Sequence, residues 1–239
     1  MRVGLFDSGM GGLTVLKKLI AKYPNNDYIY YGDNLNVPYG NKSITELIVL
    51  ADNNIKFLLK HNVDIIIIAC GTISSTCFKK IKNNYQVPIY DIITPTIAFL
   101  NKSNYHNILV MATKRTIDSH IFKKNVNKLV YELATPELAT LIENNNLKEI
   151  NKILEKYLDK YQNKVDALVL GCTHYPIITD NIKYILPNTK IIDMSEEIKI
   201  ENNGHSERYI YFKKLDEKII KDIKKILNND KIIIQRVDD

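Results

Sequence analysis

The sequence lacks the long apolar segments of a membrane or secreted protein. Its longest apolar run, Ile65 to Cys70, is strand-sized and far below the roughly 18 residues that span a bilayer. Asp7 interrupts the only apolar stretch near the start, so we expect no signal peptide. These absences predict no membrane partner and a cytoplasmic location.

Cysteine is also scarce. The chain has three cysteines, an odd number that argues against a disulfide framework, so the thiols are free, metal-bound or catalytic. A zinc site is disfavoured because Cys70 and Cys172 lack a nearby second ligand, apart from His174. Cys77 falls within a predicted helix, and we expect it to be a bystander.

Dense basic runs are missing as well. The formal charge of +6 could indicate a nucleic-acid partner, but the lysines are spread along polar helix faces and no RNA- or DNA-binding motif is present. We therefore expect no nucleic-acid partner. The 45% hydrophobic content is enough for a real core and is typical of a globular protein.

What the sequence does contain is an alternation of apolar, strand-like runs with helix-length amphipathic runs. This pattern predicts an α/β fold with parallel sheets. The clearest helix is predicted over 42–60, where Ser43 and Glu46 have capping-box spacing. The predicted strands are 2–6, 27–31, 64–69, 88–91, 107–111, 128–132, 166–170, 189–193, 208–212 and 231–235.

One segment occurs twice. VDIIIIACGT at 63–72 and VDALVLGCTH at 165–174 share a Val-Asp start, four apolar residues and a cysteine, and the two cysteines lie 102 residues apart. The repeat predicts two pseudo-symmetric parallel-sheet α/β domains with the active site in the cleft between them. We expect the first domain to comprise 1–92 plus 205–239, and the second 93–204.

Both cysteines fall where ligands bind in such sheets, beyond the carboxyl ends of the strands. Each is expected to precede a helix, whose N-terminus would favour the thiolate. Two equivalent thiols facing one cleft fit the inversion of a carbon centre, in which one group removes a proton and the other donates one to the opposite face. Asp7 and His174 are the groups expected to adjust Cys70 and Cys172, respectively.

Several segments resemble the glutamate racemases, cofactor-independent enzymes that make D-glutamate for bacterial peptidoglycan. The resemblance covers nearly the whole chain and rests mainly on GLFDSGMGGLTVLKKL, YYGDNLNVPYGNKS, IACGTISS and LGCTHYP. It implies two α/β domains, glutamate as substrate, and no pyridoxal phosphate, metal or nucleotide. It leaves a homodimer open.

The resemblance also implies roles for individual residues. Cys70 would take the α-proton of D-glutamate with help from Asp7, and Cys172 would take that of L-glutamate with help from His174 and Glu143. The substrate's carboxylates and amino group would be bound by Ser8, Tyr39, Gly40, Gly71, Thr72 and Thr173.

Gly71 departs from the resemblance, because the family usually has asparagine after the first cysteine. A lost hydrogen bond to a charged group can cost about 1.5–3 kcal/mol, so we expect weaker substrate binding or altered specificity. Three alternatives to a glutamate racemase stay open. They are a racemase of aspartate or another amino acid, an impaired binding protein on this scaffold, which Gly71 motivates, and a thiol redox or metal protein. CTHYP favours glutamate among the racemases, and the glycine-rich loops would be unnecessary in a redox protein.

Overall fold

The computed structural model describes residues 1–228 and 232–237 and contains two parallel β-sheets flanked by helices. All ten predicted strands are present, and each end lies within two residues of its predicted position. Residue 231, where the last strand was expected to begin, lies outside the described residues. The strands are β1 Arg2–Asp7, β2 Asp27–Gly32, β3 Ile65–Ile68, β4 Ile89–Asp91, β5 Asn107–Ala112, β6 Leu129–Ala134, β7 Ala167–Leu170, β8 Lys190–Asp193, β9 Arg208–Phe212 and β10 Ile233–Arg236.

The helices occupy most of the intervals between strands. Ser43 caps α2 and exchanges hydrogen bonds with Glu46, which confirms the predicted capping box. No described helix is both long and apolar enough to cross a membrane. The helices are α1 Gly12–Lys22, α2 Ile44–Leu59, α3 Gly71–Thr76, α4 Phe78–Ile81, α5 Ile93–Lys102, α6 Lys114–Ser119, α7 Ile121–Asn125, α8 Leu138–Glu143, α9 Leu147–Leu158, α10 Thr179–Ile185 and α11 Glu217–Leu227.

The strand order repeats between the two sheets. The first sheet runs β10-β9-β2-β1-β3-β4 and the second runs β6-β5-β7-β8, so β2-β1-β3-β4 and β6-β5-β7-β8 have the same order. The fold class is therefore the predicted one, with two α/β halves. β9 and β10 extend the first sheet, as expected if the end of the chain returns to the first domain. The boundaries at residues 92 and 205 stay predictions.

The repeated Val-Asp has a structural reason. The Asp64 carboxylate accepts the N–H of Arg2 at 2.7 Å, at the start of β1. The Asp166 carboxylate accepts the N–H groups of His106 and Asn107 at 2.7 and 2.8 Å, at the start of β5. Each aspartate thus fixes the central strand of its sheet against the strand that leads to a cysteine.

The core joins the two halves. One apolar cluster contains residues of both sheets, among them Val3 and Leu5 from β1 and Ile108 and Val110 from β5. Two further clusters lie on the outer faces of the two sheets. Packing of the inner faces brings the carboxyl ends of the strands, where both cysteines lie, to a common cleft.

Candidate active site

The two cysteines occupy equivalent positions in the two sheets. β1 pairs with β3 from Val3 and Ile65 onward, and β5 pairs with β7 from Ile108 and Ala167 onward. Each cysteine lies two residues beyond the end of its strand, and both are free and buried. The local structure after them differs: Cys70 is the N-cap of α3, whereas residues 175–178 after Cys172 form a 3₁₀ turn.

Asp7 lies fully buried at the base of the cleft. Its Oδ2 accepts the N–H of Gly12 at 2.7 Å and the hydroxyl of Thr173, from the other half, at 3.4 Å. Its Oδ1 has no hydrogen-bond partner among the residues that the structure describes. Burial raises the pKa of Asp7, while the positive charge of His174 and the N–H of Gly12 oppose the shift.

Cys172 belongs to a hydrogen-bonded chain of three side chains. Its sulfur lies 3.6 Å from Nδ1 of His174, and Nε2 of His174 lies 2.8 Å from Oε1 of Glu143. Burial lowers the pKa of His174, but its hydrogen bonds to Cys172 and Glu143 outweigh burial and hold that pKa well above the ordinary value. Burial raises the pKa of Glu143, and the hydrogen bond and charge of His174 reverse the shift, so the net direction is downward. Both directions favour the imidazolium–carboxylate form of the pair.

The surroundings of Cys70 favour the neutral thiol. Burial raises its pKa well above the ordinary value, and the negative charge of Asp7 adds to the shift. The N–H groups of Ile73 and Thr72, at the start of α3, act in the opposite direction but are weaker. At Cys70, therefore, the expected effect of a helix N-terminus, to favour the thiolate, is not what the surroundings produce. At Cys70 desolvation outweighs the short helix, and at Cys172 no α-helix begins next to the cysteine.

Both thiols line one cavity of about 160 Å³ between the two halves. This is well below the roughly 300–1,000 Å³ of pockets for drug-sized ligands and suits a small metabolite. The lining includes ten of the eleven residues predicted for the site, while Asp7 lies beneath it. The ten are Ser8, Tyr39, Gly40, Cys70, Gly71, Thr72, Glu143, Cys172, Thr173 and His174.

Polar contacts cross the cleft on both sides of the cavity. The hydroxyls of Thr72 and Thr113 lie 3.1 Å apart, and the hydroxyl of Ser75 donates to Thr116 Oγ1 at 3.2 Å, which joins α3 to α6. At the base, the Thr14 hydroxyl lies 2.8 Å from the carbonyl oxygen of Thr173. These contacts therefore hold the two halves together beside the thiols.

Comparison with known proteins adds the family. The profile of the Asp/Glu/hydantoin racemases matches residues 14–196. The chain belongs to the Asp/Glu/hydantoin racemase family. Among curated members, the glutamate racemase of Fusobacterium nucleatum is 41% identical over 82% of this chain and 78% of its own. The glutamate racemase of Aquifex aeolicus is 34% identical over 96% and 95%.

Solved structures of this racemase family have the same fold. The glutamate racemase of Francisella tularensis, solved in complex with D-glutamate, has a TM-score of 0.85 and 31% identity over 99% of this chain and 97% of its own. The glutamate racemase of Aquifex pyrophilus has a TM-score of 0.85 and 35% identity over 98% of each chain. The aspartate racemase of Picrophilus torridus matches with a TM-score of 0.61 and 24% identity over 82% and 89%.

Two predicted residues of this racemase-family site are placed in ways that the sequence does not reveal. The Tyr39 hydroxyl points away from the thiols, because it donates to Asp33 Oδ2 at 2.6 Å and accepts from Asn54 at 3.1 Å. Gly71 lies against the other half, where a Cβ atom would stand 2.6 Å from the carbonyl oxygen of Gly171.

Other lining residues of the racemase-family cavity were not predicted individually. They include Thr113, Lys114, Ala139 and Thr140. The repeat contains a signal for Thr113, because it follows β5 as Ser8 follows β1. Tyr30 was also missed; its buried hydroxyl donates to the Gly9 carbonyl at 2.6 Å and supports the loop after β1.

A larger depression of about 440 Å³ lies away from the cysteines of this racemase-family chain. Its lining includes Lys18, Asp193 and Glu196, and none of the predicted site residues. The two carboxylates are paired with Lys18 at 2.9 and 2.7 Å. These charges therefore join the two halves to one another.

Proposed function

We propose that this protein is a glutamate racemase that interconverts L- and D-glutamate with two thiols and without a cofactor. The observation that carries the proposal is the pair of equivalent cysteines lining one small cavity, each beside a different acid–base group. Membership of the racemase family and the glutamate racemase relatives support the substrate.

In the direction from L- to D-glutamate, Cys172 acts as the base. A protonated His174 at 3.6 Å stabilises a thiolate at Cys172, and Glu143 holds the imidazolium in place. The thiolate takes the α-proton, the electron pair of that C–H bond delocalises into the substrate carboxylate, and the α-carbon becomes planar. Cys70, held as a neutral thiol, then donates its proton to the opposite face and becomes a thiolate.

The reverse reaction exchanges the roles of the two thiols. Cys70 takes the α-proton of D-glutamate, and Asp7 assists by accepting or returning a proton, as its raised pKa allows. Each turnover leaves the protonation of the thiols inverted, so a proton exchange with solvent or a reverse turnover restores the starting state. The remaining predicted residues, Ser8, Tyr39, Gly40, Gly71, Thr72 and Thr173, bind and orient glutamate. Because the Tyr39 hydroxyl is hydrogen-bonded to Asp33, Tyr39 would contact glutamate through its ring and main chain.

The biological role that follows is the supply of D-glutamate for peptidoglycan in the cytoplasm. Racemisation of aspartate is the second candidate substrate reaction, since aspartate racemases share the fold. The same two-thiol chemistry would act on either acid, so the cavity decides between them. The stronger likeness to glutamate racemases favours the longer acid.

The test is proton exchange and inversion in D₂O with no added cofactor. Wild-type protein is incubated with L-glutamate, and the α-proton signal and the optical rotation are followed together, with L-aspartate in parallel. We expect both signals to change with glutamate, and racemisation to fall by at least about 100-fold in Cys70→Ala and in Cys172→Ala.

Cys77→Ala is the matched control, because this third thiol is buried outside the cavity and should leave racemisation unchanged. Unchanged racemisation after either Cys70→Ala or Cys172→Ala would contradict the two-thiol mechanism. A wild-type protein that binds glutamate without exchanging its α-proton would instead support the impaired binding protein.

A further inference from the structure

Gly71 makes a backbone contact between the two halves of the molecule. A Cβ atom on Gly71 would lie 2.6 Å from the carbonyl oxygen of Gly171, closer than side-chain carbons approach other atoms in proteins. Gly171 cannot easily yield, because its own N–H donates to the carbonyl oxygen of Met111 at 2.8 Å and a Cβ atom built on it would lie only 2.7 Å from Ala112 Cβ. At this contact the main chain at Gly71 therefore lies directly against the main chain at Gly171, with no flexible side chain between them.

Backbone conformation does not explain the glycine. None of the glycines in the described part of the chain has a positive φ, so an L-residue could adopt the backbone angles of residue 71. The requirement for glycine at this position is the close approach alone. A side chain here would force the two halves apart or displace the Gly171 peptide.

The contact lies next to both thiols. Gly71 follows Cys70 directly in the chain, and Gly171 directly precedes Cys172. A displacement at this contact is thus transmitted through one residue to each cysteine. Misplacement of a reacting group by about 1 Å can cost on the order of 100-fold in rate, so this spacing matters for a reaction that needs both thiols at once.

We propose that Gly71 is a positioning residue, which sets the separation of the two thiols by letting the two cysteine loops meet backbone to backbone. The inference rests on the proposed racemase function. It gives Gly71 a positive role, the spacing of the two thiols, whereas the first explanation treats it only as the loss of an asparagine amide. In this chain the narrow spacing is part of the active site, and a side chain at position 71 disrupts it.

The two explanations of Gly71 predict opposite results. If the missing amide limits substrate binding, Gly71→Asn should raise kcat/KM and Gly71→Ala should change little. If close approach matters, both variants should lower the kcat of racemisation, by about 100-fold for a displacement of about 1 Å.

A one-thiol reaction separates spacing from binding and folding. With 3-chloroglutamate, a single thiolate removes the α-proton while the C–Cl bond breaks and chloride leaves; the resulting enamine tautomerises and is hydrolysed to 2-oxoglutarate and ammonium. Because no second thiol is needed, Gly71→Ala should keep chloride release within about threefold of wild type while racemisation falls by about 100-fold.

Gly4→Ala is the control for a buried glycine in the same half. Its added carbon would meet only side-chain atoms, Leu58 Cδ1 and Val63 Cγ1, both at 3.2 Å, far from the cleft. This variant should lower Tm without separating the two reactions. Three results would each overturn the inference. One is an equal fall of racemisation and chloride release in Gly71→Ala, and another is an unchanged kcat of racemisation in that variant. The third is a higher kcat/KM for racemisation in Gly71→Asn.

A crystal structure of the wild type tests the inference independently of activity and of the variant's folding. In that structure a Cβ atom is built on Gly71 and its distance to the Gly171 carbonyl oxygen is measured. A distance of 3.4 Å or more would overturn the inference, because it is an ordinary van der Waals contact. A wild type that keeps the close contact but does not racemise glutamate would refute the proposed function, and the positioning role with it, while the backbone contact itself would stand.

Discussion

At the scale of single residues, the two thiols have equivalent positions but different partners. Cys70 lies beside the buried carboxyl group of Asp7, whereas Cys172 lies beside a histidine that an ion pair keeps protonated. Negative charge favours a thiol and positive charge favours a thiolate. In the proposed two-thiol mechanism, these unlike partners would suit Cys70 to donate a proton and Cys172 to remove one.

Glu143→Gln tests the ion pair. Glu143 helps to raise the pKa of His174, so its removal should let the imidazolium lose its proton at lower pH. We expect the alkaline limb of the kcat/KM profile to move to lower pH, and activity at neutral pH to fall about 10-fold. Glu137→Gln removes a nearby charge outside the cavity and should leave the profile unchanged. If the alkaline limb does not move in Glu143→Gln, Glu143 does not keep His174 protonated.

At the scale of elements, the sequence predicts most of the fold because buried parallel strands are nearly continuous apolar runs. The run at 64–69 could be recognised for this reason, and the capping box of α2 is a local signal. The segment after Cys172 could not be predicted as well. Pro176 lies in a 3₁₀ turn there, and α10 begins only at Thr179.

Asp166→Ala tests how the repeated Val-Asp anchors a strand. Asp166 accepts two N–H groups, so its loss should lower Tm by a few degrees and leave kcat unchanged. The N–H groups of Asn107 and His106 lower the pKa of Asp166, so its contribution is full above the ordinary carboxyl pKa. It is lost as pH falls through the lowered value, and the difference from wild type should vanish there.

Asp64→Ala is the matched variant in the first half. Asp64 accepts one N–H, that of Arg2, so its loss should lower Tm less than the loss of Asp166 does. A larger fall for Asp64→Ala, measured by thermal unfolding at neutral pH, would show that the number of hydrogen bonds does not set the effect.

At the scale of the whole molecule, ion pairs join the two halves away from the cavity. Lys18 of α1 bridges Asp193 and Glu196 of the second half at 2.9 and 2.7 Å. Asp193 is buried, so removal of Lys18 leaves a carboxylate without its cation. We expect Lys18→Met to lower the free energy of unfolding by about 1 kcal/mol, since the lysine is partly exposed.

Urea unfolding at low and high salt checks this expectation. Salt screens the ion pairs, so the difference in the free energy of unfolding between wild type and Lys18→Met should shrink at high salt. Lys17→Met is the control, because it removes the same charge from an exposed position of the same helix. An equal loss of unfolding free energy in the two variants would mean that the ion pairs of Lys18 contribute nothing to stability.

Contacts between the halves are what the sequence could not predict. The repeat places both cysteines at strand ends, and the resemblance names their partners. The contacts of Gly71 with Gly171 and of Thr14 with Thr173 join residues 100 and 159 positions apart, and no local pattern marks them. They depend on how two sheets meet, which is a property of packing over the whole chain.

The unequal partners of the two thiols have a consequence for equilibrium. L- and D-glutamate are mirror images with the same free energy in water, so their equilibrium constant is one whatever catalyst is present. The ratio of kcat to KM must then be identical for the two enantiomers. The asymmetry between Asp7 and the His174–Glu143 pair can appear only as matched differences in kcat and KM, so that the enantiomer converted faster at saturation is also the one with the higher KM.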